Sequence, residues 1–178
     1  MPEIEIRSAI ATDIPYLVEI NHDYTSERVW QMEILKKDKR IDVFFREVSL
    51  PRSVRVSYPV NPGTLPDTWT QRSVILLAMI DSLPVGYLGL MENITPQSVW
   101  ISDFAIAPKY RRQGIGSALL IGAKDWVRAR RGKRIVFPLQ PKNYPAICLA
   151  RKMGFEFYGY RDMHFENRDI AIFFEKWI

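Results

Sequence analysis

An apolar segment, Phe104-Ala-Ile-Ala-Pro108, runs into a basic turn with two glycines and from there directly into a helical pattern. The turn reads Lys-Tyr-Arg-Arg-Gln-Gly-Ile-Gly over residues 109–116. Backbone N–H groups in the first turn of a helix have no intrahelical partner, and glycines leave those groups open to an anion. Arg111 and Arg112 add positive charge beside them. The segment therefore predicts a strand, turn and helix that bind a phosphate-bearing ligand.

Two better-known glycine-rich phosphate motifs do not fit this turn. Gly116 is followed by Ser-Ala-Leu, so the Gly-Lys-Ser/Thr ending of a P-loop is missing, as is the third glycine of a dinucleotide fingerprint. The motif that the turn does contain is Arg111-x-x-Gly114-x-Gly116. A second block follows it, in which Asn143-x-x-Ala146 precedes a Gly-Phe pair that begins eleven residues after the asparagine.

Together the two blocks resemble the GNAT superfamily of acyl-coenzyme A-dependent N-acetyltransferases over residues 73–178. The resemblance implies an α/β fold with a mixed, largely antiparallel central sheet, helices on both faces, and two parallel strands that splay apart at a cofactor cleft. It implies acetyl-CoA as co-substrate and a primary amine that attacks the thioester directly. The C-terminal half is also similar to streptothricin acetyltransferases within this superfamily.

The resemblance assigns a cofactor site to the first block and to Asn143. Main-chain groups of residues 104–106 would pair with the amides of pantetheine as a further strand would, and one backbone N–H there would stabilise the oxyanion. The N–H groups of residues 112–117 would bind the pyrophosphate. The predicted cofactor-binding residues are Phe104, Ala105, Ile106, Arg111, Arg112, Gln113, Gly114, Ile115, Gly116, Ser117 and Asn143.

Catalytic side chains are harder to assign. An alkyl ammonium has a pKa of about 10.4 and needs a base, for which Asp103 and Glu92 are the nearest acidic residues in sequence. Asp103 is equally well interpreted as an exposed or capping carboxylate. The family's usual tyrosine, seven residues after the asparagine, is replaced by Ala150. Tyr144 and Tyr158 are possible substitutes as general acid, although each is more often a packing aromatic.

Length and composition agree with one N-acetyltransferase domain over residues 1–178, in which 1–72 form a variable acceptor side and 73–178 the acetyl-CoA-binding core. The longest apolar run, residues 74–80, is too short to span a bilayer, so no membrane association is expected. A single cysteine, Cys148, excludes an intrachain disulfide and agrees with a cytoplasmic location. No metal is expected.

The net charge of +5 permits nucleic-acid binding without indicating it. The basic stretch at residues 128–134 lies at the far end of the predicted helix, where cations complement the helix dipole. Nucleic acid is therefore not favoured as a partner. The sequence is compatible with a homodimer.

Hydrophobic periodicity and turn residues predict the remaining elements. A helix is expected at residues 13–23, with Thr12 or Asp13 as its cap, and a hairpin turn at 81–84. The other predicted helices are 114–130 and 144–153, the predicted strands are 4–7, 43–48, 53–58, 74–80, 85–90, 99–106, 134–139, 155–160 and 170–177, and 59–67 is a loop.

The acceptor is expected to be the primary amine of a small molecule, recognised by residues 24–72 and 160–169. Alternatives are a protein N-terminus or lysine, and a coenzyme A-binding sensor without catalysis, which Ala150 supports. Side chains that could line an apolar slot are Trp30, Phe44, Tyr58 and Trp69, and those that could attract a cation are Asp23, Glu27, Asp162, Glu166 and Asp169. For any one of them, core packing or surface charge is the simpler interpretation.

Overall fold

The computed structural model describes residues 3–178. Its strands are β1 (Glu5–Ser8), β2 (Tyr24–Lys37), β3 (Arg40–Val56), β4 (Val74–Ile80), β5 (Leu83–Glu92), β6 (Ser98–Ile106), β7 (Arg134–Leu139), β8 (Glu156–Arg161) and β9 (Ala171–Trp177). Its α-helices are α1 (Ile14–Val18), α2 (Leu65–Thr68), α3 (Ile115–Ala129) and α4 (Tyr144–Lys152). Seven strands form one sheet in the order β1-β4-β5-β6-β7-β9-β8, and β2 pairs with β3 in a separate hairpin. Within the part of the chain described, no helix is long and apolar enough to cross a membrane.

Both faces of the central sheet are covered, which explains why β4 is apolar at every position. Leu76 and Ala78 belong to the core beneath α3 and α4. Ile75 and Leu77 point the other way and pack with Leu17 of α1 and with α2. The predicted fold class, a largely antiparallel sheet with helices on both faces, is confirmed.

One neighbouring pair in the sheet, β6 and β7, is parallel, and this pair separates along its length. Their register holds only from Ser98 opposite Arg134 to Trp100 opposite Val136. Beyond Trp100, β6 continues to Ile106 paired with β5 alone. The predicted splay is therefore present, and it leaves one edge of β6 without a strand partner at residues 101–106.

The chain between α1 and α2 differs from the prediction. Residues 43–48 and 53–58 were expected as two strands, but 43–48 and 53–56 lie in the single long strand β3, and residues 57–58 follow its end. The partner strand β2 was not predicted. The two strands form a hairpin around Asp38, which has a φ of 44°. Midway along the hairpin Trp30 and Phe45 pack against Phe157 of β8. Because β2 is mostly exposed and rich in charged side chains, it shows no regular apolar alternation.

The helix predicted at residues 13–23 is wrong in length. A 3₁₀ turn at Ala11–Asp13 leads into α1, which ends at Val18. Asp13 is the N-cap residue, but its carboxylate accepts from the Ile10 N–H and from Arg7 rather than capping α1. The predicted loop at 59–67 likewise contains a 3₁₀ turn, Pro62–Thr64, and the start of α2.

Candidate functional site

A cavity of about 610 Å³ lies where β6 and β7 separate, bounded by the start of α3 and one side of α4. It brings together nine of the eleven predicted cofactor-binding residues: Phe104, Ala105, Ile106, Arg111, Arg112, Gly114, Gly116, Ser117 and Asn143. The other two do not line it. The Gln113 side chain donates to the Lys109 carbonyl, and Ile115 is fully buried in the core.

Gly114 opens the N-terminus of α3 to this cavity. It is the N-cap residue in the left-handed region, with φ 87° and ψ −8°, a conformation that favours glycine. No side chain caps the helix there. A Cβ placed on Gly114 would meet nothing within 4 Å. The N–H groups of the first helical turn and the helix dipole therefore face open space that an anion can occupy.

At Gly116 glycine is required for a steric reason. A Cβ there would lie 2.7 Å from Cδ2 of Leu149 and 3.2 Å from Cδ1 of Ile106. Gly116 therefore allows α3 to approach α4 and β6 closely, in addition to leaving the first turn of α3 open.

Arg111 ties the turn to its surroundings. Its Nε donates to the Ile106 carbonyl at 2.8 Å, and its Nη2 donates to the Asn21 carbonyl at 2.9 Å. Burial lowers the pKa of this guanidinium, but an arginine stays protonated in proteins. The side chain fixes the end of β6 and still brings positive charge to the cavity.

The free edge of β6 offers backbone groups to the cavity. Phe104 N–H donates to the hydroxyl of Tyr58, and Ile106 C=O accepts from Arg111. Since the N–H and C=O of one residue in an antiparallel strand point to the same edge, the Phe104 C=O and the Ile106 N–H also face this side. An acceptor and a donor two residues apart suit an extended chain of amides.

A second cavity of about 370 Å³ adjoins the first. Tyr58, Phe104 and Asn143 line both cavities and therefore mark their junction. Asn143 is held there as the N-cap residue of α4, because its Oδ1 accepts from the Ala146 N–H at 3.2 Å. A ligand in the first cavity and a ligand in the second would meet beside these three residues.

Asp103, one of the two predicted bases, lines the second cavity but is fully engaged. Its carboxylate accepts two hydrogen bonds from Arg72, at 2.8 and 2.9 Å, and a third from Ser102 Oγ at 2.7 Å. The side chains of Arg72 and Asp103 are only 11% and 4% exposed. These three hydrogen bonds give the buried carboxylate a structural role.

The other catalytic candidates lie outside both cavities. Glu92 pairs with Arg130 at the surface, with both contacts at 3.1 Å. Tyr144 donates to Glu47, and Tyr158 stacks on Phe173 beside Arg134. Ala150, at the position of the family tyrosine, is completely buried in the core.

The structure adds residues that sequence reasoning did not place at the cleft. His22 lines the first cavity, with its Nε2 2.9 Å from the Tyr87 hydroxyl and its ring 5.0 Å from that of Tyr58. Burial lowers the pKa of His22 and, with the charge of Asp103 as a smaller cause, raises the pKa of Tyr58. Both groups are therefore neutral at pH 7. No motif in the sequence marks His22, since its position follows from the short α1.

Of the nine side chains predicted for acceptor recognition, Tyr58 and Glu166 line one or both of these two cavities, and the other seven line neither. Several of the others have structural partners. Trp30 packs on Phe174. Asp23 pairs with Arg55, and Asp169 accepts from Gln140. No cluster of three or more His, Cys, Asp or Glu side chains suited to a metal ion occurs within residues 3–178.

The sequence of residues 43–155, more than half of the chain, matches the acetyltransferase (GNAT) family. The chain therefore belongs to this family of acyl-transferring enzymes, which confirms the resemblance carried by its two sequence blocks.

One relative is similar to this chain over less than half of its length. Streptothricin acetyltransferase of Streptomyces lavendulae is 34% identical over 74 residues, which are 42% of this chain and 39% of that protein, so the match spans well under half of the relative.

Among solved structures, nourseothricin acetyltransferase superposes with a TM-score of 0.80 at 19% identity over 98% of both chains. A candidate streptothricin acetyltransferase of Bacillus anthracis, in complex with acetyl-CoA, gives 0.74 at 21% identity over 99% of this chain and 100% of that one. The ribosomal-protein-S18-alanine N-acetyltransferase of Escherichia coli gives 0.69 at 18% identity over 99% and 94%. At these identities the likeness concerns the fold.

Proposed function

We propose that this protein transfers an acetyl group from acetyl-CoA to the primary amine of a small molecule. The observation that carries the proposal is the arrangement of the two cavities. One extends from the N-terminus of α3 along the free edge of β6, and it meets the other at Tyr58, Phe104 and Asn143.

The first cavity fits coenzyme A in its chemistry. Its anion-accepting end, at Gly114, suits the pyrophosphate, and Arg112 and Lys152 add positive charge to its wall. The Phe104 C=O and Ile106 N–H suit the amides of pantetheine. The acetyl thioester would then lie at the junction. The Bacillus anthracis structure of the same fold contains acetyl-CoA, which supports this fit.

The reaction needs a hydrogen-bond donor for the charge that develops on the thioester carbonyl oxygen. The Phe104 N–H is already donated to Tyr58 Oη at 3.1 Å. Since Tyr58 accepts this hydrogen bond and stays protonated, its own O–H remains available to a ligand at the junction. Tyr58 is therefore the proposed oxyanion donor, with the Phe104 N–H polarising its hydroxyl.

A tyrosine with a raised pKa holds its proton, so it serves as a hydrogen-bond donor better than as a proton source for the leaving thiolate. The neutral amine nitrogen attacks the acetyl carbon to give a tetrahedral oxyanion, which collapses to the amide as the C–S bond breaks. A thiol pKa of about 8.5 lets the sulfur leave as thiolate, and the proton that the amine nitrogen loses reaches the thiolate through water. Because water can supply the proton, the reaction does not require the family tyrosine, whose position is taken by the buried Ala150.

Release of free thiol from acetyl-CoA tests the proposal. We expect thiol release that depends on an added small primary amine, with the acetylated amine identified by mass spectrometry. If acetyl-CoA binds but no thiol is released with any small amine, or with any peptide that has a free N-terminus or lysine, the protein is not a catalyst. That result would favour a coenzyme A sensor. Release with the peptides alone would favour the alternative, a protein acceptor.

A further inference from the structure

The second cavity has a wall of aromatic rings. Trp100 of β6 meets Phe173 of β9 edge to face, with ring centroids 5.3 Å apart. His164, in the segment between β8 and β9, lies nearly parallel to Trp100 at 6.4 Å and meets Phe165 edge to face at 5.0 Å. All four rings line the cavity. Rings that pack against one another in this way give the cavity a rigid apolar wall.

The indole N–H of Trp100 is paired within the protein, since Nε1 donates to Ser98 Oγ at 3.0 Å and to Thr95 Oγ1 at 3.1 Å. The Nδ1 of His164, by contrast, is buried and has no hydrogen-bond partner within residues 3–178. Most of the other lining side chains are apolar: Pro59, Val60, Met91, Ile94, Ile101, Phe104, Phe137, Pro138 and Leu139.

Charge at the second cavity is balanced rather than negative. Asp103 and Glu166 line it, but Asp103 is paired with Arg72 and the cavity is also lined by Arg161. Burial, with a smaller effect from Arg161, lowers the pKa of His164, so that the imidazole is uncharged at pH 7. A ligand with several ammonium groups would find no matching set of free carboxylates here.

We propose that the acceptor is a primary amine attached to an aromatic group, and that the second cavity discriminates against polycations, including basic antibiotics of the streptothricin kind. The inference rests on the proposed function. A cavity of about 370 Å³ holds a ligand of one or two rings, with its amine directed to the junction at Tyr58 and Asn143.

This environment also assists the chemistry. An apolar cavity disfavours a charged amine, so burial lowers the pKa of the acceptor ammonium and favours the neutral nucleophile. The effect compensates for Asp103, whose carboxylate is held by Arg72 and Ser102.

The test compares kcat/KM for 2-phenylethylamine and tryptamine with kcat/KM for spermidine, streptothricin and a peptide with an N-terminal alanine. We expect the aromatic amines to exceed each of the others by about 10- to 100-fold, the range for burying one large apolar group. Equal or higher values for spermidine or streptothricin would overturn the inference, as would a preference for the peptide.

Variants at the cavity rim sharpen this test. Ile94 lines the second cavity and is 47% exposed, so Ile94→Glu adds a carboxylate without disturbing the core. It should lower kcat/KM for the aromatic amines and raise it for spermidine, each by at least about 3-fold. Leu83→Glu is the matched control, because Leu83 is 58% exposed and lines neither cavity. The inference is wrong if both variants change the preference equally.

Failure of the inference is distinguishable from failure of the proposed function. Thiol release with spermidine or a peptide, but not with the aromatic amines, would leave the acetyltransferase activity in place and overturn only the acceptor class. Absence of thiol release with every amine would overturn both.

Discussion

The hydroxyl oxygen of Tyr58 lies 3.1 Å from the backbone nitrogen of Phe104 and accepts its hydrogen bond, at the point where the two cavities meet. If this hydroxyl donates to the oxyanion, Tyr58→Phe should lower kcat by about 10²- to 10³-fold, the usual effect of losing one such donor. The Kd for acetyl-CoA should change by less than about 3-fold, because the ring and the phosphate site remain.

Tyr144→Phe is the matched control for this experiment. Tyr144 bonds to Glu47 and lines neither cavity, so kcat should be unchanged. A large loss of kcat in Tyr144→Phe together with a silent Tyr58→Phe would assign the proton chemistry to Tyr144 and refute the role given to Tyr58.

The two carboxylates predicted as bases should differ in their effect on stability. Asp103→Asn breaks a buried, bidentate pair and leaves Arg72 unpaired, which costs about 3–5 kcal/mol. For a domain of this size the melting temperature should fall by about 6–20 °C. Glu92→Gln removes a surface pair in which Arg130 is 53% exposed, and it should leave the melting temperature almost unchanged.

Thermal unfolding of both variants checks this difference, and kcat of Glu92→Gln should equal that of the wild-type protein. A stable Asp103→Asn variant that lacks activity would instead indicate that Asp103 is the general base.

Nine of the residues predicted for cofactor binding line one cavity, and they could be found in the sequence because the determinants of this region are local. Gly114 is needed for a positive φ at the start of α3, and Asn143 for the cap of α4. Gly154 has a φ of 77° and, with Phe155, closes the C-terminus of α4, since Phe155 N–H donates to the Ala150 C=O. Each role depends on neighbouring residues, so each leaves a short motif.

The acceptor side could not be predicted in the same way, because its contacts are long-range. Tyr58 reaches Phe104 across 46 positions of the sequence, and His22 reaches Tyr87 across 65. Trp30 was a candidate for the pocket with core packing as the simpler interpretation, and it packs against Phe174. In these cases tertiary contacts determine the place of a side chain, and neither spacing nor residue type indicates which aromatic residue lines the cavity.

Stability should depend on pH through His22. Burial lowers its pKa below the ordinary value of about 6.5, so the unfolded chain binds a proton more readily than the folded chain. The contribution of neutral His22 to the free energy of unfolding is therefore complete above pH 6.5. It decreases as the pH falls towards 5, by up to about 1.4 kcal/mol per pH unit. His22→Gln, which can still bond to Tyr87, should flatten that decrease.

Melting temperatures between pH 7.5 and 5 measure this dependence, above the range in which most carboxylates titrate. His164, whose pKa burial also lowers, should account for part of the slope that remains in His22→Gln. An unchanged slope in His22→Gln would show that His22 is not buried in its neutral form.

Calorimetric titration with acetyl-CoA tests the central claim, that the cavity between β6 and α4 is the cofactor site. The wild-type protein should bind with a Kd in the micromolar range. Gly114→Trp fills the open space at the start of α3 and should weaken binding by at least about 100-fold. Gly154→Trp is the control, because Gly154 also has a positive φ but lies outside both cavities. Binding lost only in Gly114→Trp is the predicted result, whereas no binding by the wild-type protein, or equal binding by all three proteins, would contradict the account.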